Sequence, residues 1–419
     1  MTTFGLVILV LALLALRQNL LVVLGVVLVY VYWAVGEDAL SFILLDGWHA
    51  LNKEVLLSIP LFILSGQIMS RGSMAERLVR FVRELTGPIP GGMAIATVLA
   101  CALFAAISGS STVTLLAVGS VMYPALLKAG YSKSFSLGAL CAAGTLGIVV
   151  PPSIPLILYG VMTRTSITDL FLAGIGPALL LTALMSLYAV IANRDRRGGS
   201  WKLAALLDAG RKGMWSLLMP VLILGGIYSG HFTATESAAV AVVYAFVVEV
   251  FIHRELSARK VYDVFAETTQ LLGSLFPVLM LAVSLNVLLT YQQVPVAVVQ
   301  WFSQFFDSST SFLVVTNIFL LMVGTVMDIG SAVLILSPML EPIASAQGID
   351  PVHFGIITIV NLEIGYLTPP FGLNLIVAMS AFREGFWDIC KSVVPFLLLM
   401  LLGLVVVTFV PRLSLFLIQ

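Results

Sequence analysis

Apolar runs long enough to cross a bilayer recur from one end of this chain to the other, and that repetition leaves few folds open to it. A helix needs about 17–25 such residues to span a hydrocarbon core of ~30 Å. Backbone polar groups in lipid must be satisfied internally, and runs this long and unbroken achieve that as helices, not as barrel strands. Composition closes the soluble alternative: 10% of the 419 residues are charged, 60% are hydrophobic and mean hydropathy is +1.09. A soluble domain carries roughly 25% charged residues. The expected fold class is therefore an all-α polytopic membrane protein, with the lipid bilayer as its first partner. Zero net charge argues against nucleic acid as another. Cys101, Cys141 and Cys390 show no CxxC spacing and read as small buried hydrophobes. The stretch Thr3 to Leu16 has no basic residue before its apolar run and no small-residue cleavage site, so it reads as a short retained membrane segment.

Lys and Arg orient the chain, because they concentrate in cytoplasmic loops. One cluster is Arg71, Arg77, Arg80 and Arg83; the largest runs from Arg194 to Lys212; a third is Arg254, Arg259 and Lys260. These three, with Arg17, are placed inside. No Lys or Arg occurs between Lys260 and Arg383, and the polar breaks there, with Asp307, Glu341 and Asp350, are placed outside. Met93 to Leu127 is long enough to cross twice, yet basic residues flank both its ends. It either makes two full crossings or enters and returns on the same side. Phe312 to Ile343 enters and leaves from the outside. Phe135 to about Val161 and His353 to Met379 are single crossings of opposite direction. The strip Lys202–Lys212 is charged enough to lie along the surface as a linker.

Two segments match at an offset of about 218 residues. Pro124 is followed by Gly147-Ile-Val-Val-Pro151-Pro152, and Pro342 by Gly365-Tyr-Leu-Thr-Pro369-Pro370; Pro60 and Pro277 fall about 217 apart. The charge pattern gives the two copies opposite orientations. Inverted repeats of this kind build midplane binding sites and alternating access in secondary transporters.

The repeat locates the candidate chemistry. Pro-Pro inside a span removes two donors and leaves carbonyls of the preceding turn unpaired, and Gly147 and Gly365 let the chain unwind there. Such backbone is tolerated only where protein or a wet cavity surrounds it. Its carbonyls, with a nearby hydroxyl, make an oxygen cage suited to a hard cation such as Na⁺. Each hairpin has a polar tip: Ser108-Gly-Ser110-Ser111-Thr112-Val-Thr114 in the first, and Gly324-Thr-Val-Met-Asp328-Ile-Gly-Ser331 in the second. Half-helices meeting there would aim N-terminal N–H groups and positive dipole ends at a carboxylate. Asp328 is the most telling acid, since a charge near the bilayer centre costs several kcal/mol and marks function. Glu236, Glu249 and Glu363 lie in or at the ends of spans, and Asn361 and Asn374 flank the second Pro-Pro; sequence does not fix which way any of them faces.

Enzyme signals are poor. His49, His231, His253 and His353 are scattered, no HExxH or Walker A sequence occurs, the serine tip has no nearby His or Lys, and Asp328 has no second membrane acid in a plausible dyad.

At these residues the chain resembles the large membrane subunit of TRAP transporters, the tripartite ATP-independent periplasmic systems of the bacterial inner membrane. The resemblance rests on Ser58-Ile-Pro60-Leu-Phe62, Leu103 through Ser111, Gly144 through Pro155, Thr233-Ala-Thr-Glu236-Ser-Ala-Ala239 and Asn361-Leu-Glu363 through Gly372, which together span nearly the whole chain. Ala234 stands where the family commonly has proline. The resemblance implies an inverted-repeat, elevator-type fold like that of the ion-transporter superfamily, with no catalysis and with coupling to Na⁺ entry. It implies one Na⁺ site at Ser108, Gly147, Val150 and Pro152, and a second at Gly324, Asp328, Gly365 and Thr368. A carboxylate substrate, such as a C4-dicarboxylate or sialic acid, would sit near Ser110, Ser111, Thr112 and Asp328, with Asn361 and Asn374 within reach. It further implies a periplasmic substrate-binding protein and a small four-helix membrane subunit, expected here on a separate chain. On this reading residues 91–161 and 311–382 form the two halves of a transport domain. Residues 1–90, 162–310 and 383–419 supply scaffold, linker and arm helices. The competing reading is a stand-alone divalent-anion elevator carrier that needs no binding protein.

Overall fold

The computed structural model describes residues 20–35, 41–196, 202–302 and 308–418, with a few isolated positions besides. The expected amino-terminal membrane segment, Arg17 and Asp307 lie outside the described residues. Among those described the fold is all helical, and eight helices are long and apolar enough to cross a membrane.

The first hairpin is α5 (Gly92–Ser108) and α6 (Ser111–Lys128). Its reversal is made at Gly109, whose φ of 58° lies in the left-handed region open to glycine. The chain continues as α7 (Lys133–Val149), breaks at Val150–Ser153 and resumes as α8 (Ile154–Thr163). In the second half, α14 (Ser309–Gly324) and α15 (Ile329–Ala346) form the hairpin. Then α16 (Pro351–Gly365), a break at 366–372 and α17 (Leu373–Phe382) form the second interrupted crossing. Both Pro-Pro peptides, 151–152 and 369–370, are cis.

The repeat extends into details that the proline spacing does not reveal. Ser110 and Asp328, 218 residues apart, are the N-caps of α6 and α15. Ser132 and Asp350, at the same offset, cap α7 and α16 through side-chain oxygens. Gly130 and Gly348 share positive φ, as do Arg164 and Arg383 at the ends of α8 and α17.

Contacts at the two ends show the inversion. At one end the first hairpin's base meets the end of α17: Tyr123 Oη donates to Glu384 Oε1 at 2.8 Å, and Lys133 pairs with Glu384. At the other end the finish of α8 meets the start of α16, where Tyr159 Oη donates to the Pro351 carbonyl at 2.9 Å. The crossings α7–α8 and α16–α17 thus run in opposite directions, and the hairpins open to opposite ends. Met93–Leu127 is settled as a re-entrant hairpin, because its tip docks at the break midway along the α7–α8 crossing (below). The basic clusters gather toward one end. Arg80 pairs with Asp208 at 3.1 Å, and Arg196 donates to the carbonyls of Ala129 (2.9 Å) and Gly130 while lying over the Tyr131 ring.

Around this core pack α3 (Ser58–Arg71), α4 (Met74–Thr86), α9 (Ile167–Ala192), α10 (Leu203–Tyr228), α11 (Ala234–Val247), α12 (Ala258–Tyr291) and α18 (Phe386–Phe409). One expectation changes. The charged strip 202–212 is not a separate surface linker. Nearly all of it forms the first turns of the continuous helix α10, held against α4 by the Arg80–Asp208 pair and by Arg77 Nη1 donating to the Lys212 carbonyl at 3.5 Å. The apolar run from Leu271 is the second part of a 34-residue helix beginning at Ala258. In α4 the apolar residues recur at helical spacing, burying Met74, Ala75, Leu78, Val79 and Val82 and turning the arginines outward.

Two of the ambiguous acids are structural. Glu236 completes a capping box with Thr233, accepting from its N–H at 2.8 Å at the start of α11. Glu249 is fully buried in a π-helical turn and receives the N–H groups of Ser73 (2.8 Å) and Met74 (2.6 Å), capping α4 from a distant segment.

Candidate functional site

The two hairpin tips meet. A cavity of about 510 Å³ is lined on one side by Ser108, Gly109, Ser110, Ser111 and Thr112, and on the other by Asp328, Ile329, Gly330 and Ser331. Tyr366, Ile154 and Leu158 lie beside the tips, and Leu271, Ser274, Leu275 and Val278 of α12 form another wall. Helices α6 and α15 therefore begin at the same cavity, and their positive dipole ends converge there. Asp328 caps its own helix, with Oδ2 accepting from Ser331 N–H at 2.8 Å, and is exposed to the cavity.

Each tip is docked on a helix break. In the first half Ile154 N–H donates to the Gly109 carbonyl at 3.4 Å. Ser108 Oγ bonds Thr114 Oγ1 at 2.7 Å. A Cβ added at Gly147 would lie 2.4 Å from the Ser110 carbonyl oxygen, and one at Gly109 would lie 2.9 Å from the Pro152 carbonyl oxygen. Ser108, Gly147 and Pro152 are thus brought together, with Val150 in the same break. Pro151 and Pro152 donate nothing, so the carbonyls of Gly147 and Ile148 lack their helical partners.

The second half repeats the arrangement with a difference. A Cβ on Gly365 would lie 2.5 Å from the Gly324 Cα, so the two backbones touch. Ile329 N–H donates to Tyr366 Oη at 2.8 Å. Here the break starts as a tightened turn: Thr368 N–H reaches the Gly365 carbonyl at 2.9 Å, and Thr368 Oγ1 donates to the Ile364 carbonyl at 3.0 Å. Gly324, Gly365 and Thr368 belong to this seam, while Asp328 faces the cavity beyond it.

The two asparagines do not line the cavity. Asn361 is buried against α14, donating to Asn317 Oδ1 at 2.6 Å. Asn374 is buried behind the first tip, where its Nδ2 donates to Ser111 Oγ and, at 3.4 Å, to Glu363 Oε1. Residue types and spacing did not single out Tyr366 or Tyr159, whose hydroxyls tie segments that are far apart in the chain. Tyr366 could have been noticed, since it lies inside the Gly365–Pro370 motif.

Two opposed re-entrant hairpins, docked on two interrupted crossings around one half-open cavity, define a polytopic membrane carrier of the inverted-repeat class. The sequence matches the family described as "Tripartite ATP-independent periplasmic transporter, DctM component" over residues 7–413. The chain belongs to this family, the large permeases of TRAP transporters. This makes it a multi-pass transport protein of the inner membrane, not an enzyme. It is 40% identical to the C4-dicarboxylate TRAP transporter large permease protein DctM of Pseudomonas aeruginosa, covering 91% of this chain and 90% of that one. It is 37% identical to the isethionate TRAP transporter permease protein DctMQ of Oleidesulfovibrio alaskensis, over 91% of this chain but 61% of that longer one. In fold it is similar to the Alcanivorax borkumensis YdaH transporter, with a TM-score of 0.64 at 16% identity over 87% of this chain and 86% of that one.

Proposed function

We propose that this permease is the membrane core of a Na⁺-coupled symporter that imports an organic acid handed over by a periplasmic binding protein. The small membrane subunit completes the system. The observation that carries the reading is the convergence of two polar tips and two helix N-termini, α6 and α15, on one cavity. That is a chemistry for carboxylates. C4-dicarboxylates are favoured by the Pseudomonas aeruginosa relative. Ser110, Ser111, Thr112 and Asp328 would contact the substrate. The docked breaks would hold Na⁺, one at Ser108, Gly147, Val150 and Pro152, the other at Gly324, Gly365 and Thr368 with Asp328 nearby. Residues 91–161 and 311–382 would move together as an elevator against the remaining scaffold.

Reconstitution tests this. Proteoliposomes containing both membrane subunits, supplied with the binding protein and an inward Na⁺ gradient, should accumulate succinate. Uptake by this chain alone would make it the stand-alone divalent-anion carrier. Uptake indifferent to Na⁺ would remove the coupling ion.

Thr368→Val probes the second cage. The Ile364 carbonyl also accepts from Leu367 N–H at 3.1 Å, so losing the hydroxyl costs the fold little. Losing one neutral oxygen ligand, worth about 1–1.5 kcal/mol, should raise the Na⁺ concentration for half-maximal uptake roughly tenfold. Thr368→Ser should remain near wild type. An unchanged Na⁺ response in the valine variant removes Thr368 from the site.

A further inference from the structure

Glu363 is fully buried, and among the described residues it makes no ion pair. Its Oε1 accepts from Asn374 Nδ2 at 3.4 Å, the same amide group donates to Ser111 Oγ, and the Ser111 hydroxyl also faces the carboxyl. These three residues come from three different places. Ser111 opens α6 at the first tip, Glu363 ends α16 two residues before Gly365, and Asn374 is the second residue of α17 beyond the break. The cluster therefore ties the tip of one repeat to both sides of the break in the other.

The opposite half has no such cluster. At the 218-residue offset Ser111 and Glu363 correspond to Ile329 and Thr145, and Pro155, like Asn374, is the second residue of the helix beyond its break. Thr145 bonds the Ala142 carbonyl of its own helix and reaches Met400 Sδ at 4.0 Å. That half therefore places a single buried hydroxyl, and neither an acid nor an amide, at the three positions. Moreover, Glu363 Oε2 and Asn374 Oδ1 are buried without partners. Buried polar groups need partners, so withdrawal of the first tip would take the Ser111 hydroxyl from Glu363 and from Asn374 and leave Asn374 as the remaining donor to the acid. A cluster with so little slack transmits displacement instead of absorbing it.

We infer that Ser111, Asn374 and Glu363 form a positioning bridge that couples the two Na⁺ cages, so that filling one favours filling the other. This rests on the Na⁺ reading above. Coupling between two sites appears as cooperativity bounded by the number of sites.

The test is equilibrium binding of radioactive sodium to the purified full-length chain at constant ionic strength, with choline as the replacement cation. Wild type should give a Hill coefficient well above 1, approaching about 2. Asn374→Ala and Glu363→Ala should bind the same number of ions with a Hill coefficient near 1, and Glu363→Gln should lie between. A merely structural role would lower stability or capacity and leave the Hill coefficient alone. Should the Glu363→Ala protein not fold, Ser111→Ala removes the same bridge from the side of the first tip. Variants with wild-type cooperativity, or a wild type without any, overturn the inference while leaving Na⁺ binding intact. A wild type that binds no sodium overturns the Na⁺ reading itself.

Discussion

Gly365→Ala is expected to abolish Na⁺-driven uptake while leaving a protein that still inserts in the membrane. The added methyl would sit 2.5 Å from both Cα and C of Gly324 and 3.0 Å from Thr325 N. All three are backbone atoms, so no side chain can swing away to relieve the clash. The second tip must lift off the α16 break instead, separating the oxygens proposed to form the cage. Overpacking at a close-packed seam costs about 1–3 kcal/mol. Applied to the docked state, the upper value corresponds to uptake falling on the order of 100-fold. Gly147→Ala should behave alike, because its methyl would lie 2.4 Å from the Ser110 carbonyl oxygen and 2.7 Å from its carbon. Gly273→Ala, with nothing within 4 Å of the new atom, is the matched control. Initial uptake rates in proteoliposomes decide the matter. A Gly365→Ala rate within about twofold of wild type would mean that tip docking is not needed for transport.

Glu249→Ala should produce the largest loss of stability of any acid substitution among the described residues. Its carboxylate takes the Ser73 and Met74 N–H groups on one oxygen, with Ser73 Oγ at 3.4 Å from the other. A Cβ on Gly72 would lie 2.2 Å from its carboxyl carbon, which shows how closely α4's entry is wrapped around it. Removing the side chain orphans two buried donors at the first turn of α4 and leaves a void. Hydrogen bonds to a charged group are worth about 1.5–3 kcal/mol, so a loss of about 3 kcal/mol is expected. Glu249→Gln keeps an oxygen where both N–H groups converge and should lose only about 1 kcal/mol. Thermal unfolding in detergent should rank the three proteins wild type, Gln, Ala. Equal loss in Gln and Ala would show that charge, not the cap, is what matters.

The same acid marks a limit of sequence reading. Glu236 is legible as a cap, because Thr-x-x-Glu is a local pattern whose partners lie three residues apart. Glu249 caps a helix that starts 175 residues earlier, and no local spacing encodes that pairing. Asp328 is legible because charge in an apolar run is conspicuous. Glu363 was conspicuous for the same reason, but its burial against Ser111 and Asn374 is a property of how two repeats pack. Asn361 and Asn374 lie close to the second break in sequence, yet they turn to different neighbours. Helical rotation carries Asn361 toward Asn317, while Asn374, past the break, faces the first tip.

Sequence alone determined the helical membrane fold, the two polar tips and the Gly–Pro-Pro breaks. Each follows from a local rule: lipid forbids unpaired backbone, proline withholds a donor, and glycine admits unwound chain. Offset and charge bias were enough to show that the halves repeat and oppose each other. Tertiary structure alone decided that the tips share one cavity and that glycine backbones seal each tip to its break. It also decided that one half carries a buried polar bridge which the other lacks. Those are contacts between segments up to 263 residues apart in the chain. They depend on which faces meet once the helices pack, and neither hydropathy nor spacing along a single helix records that choice.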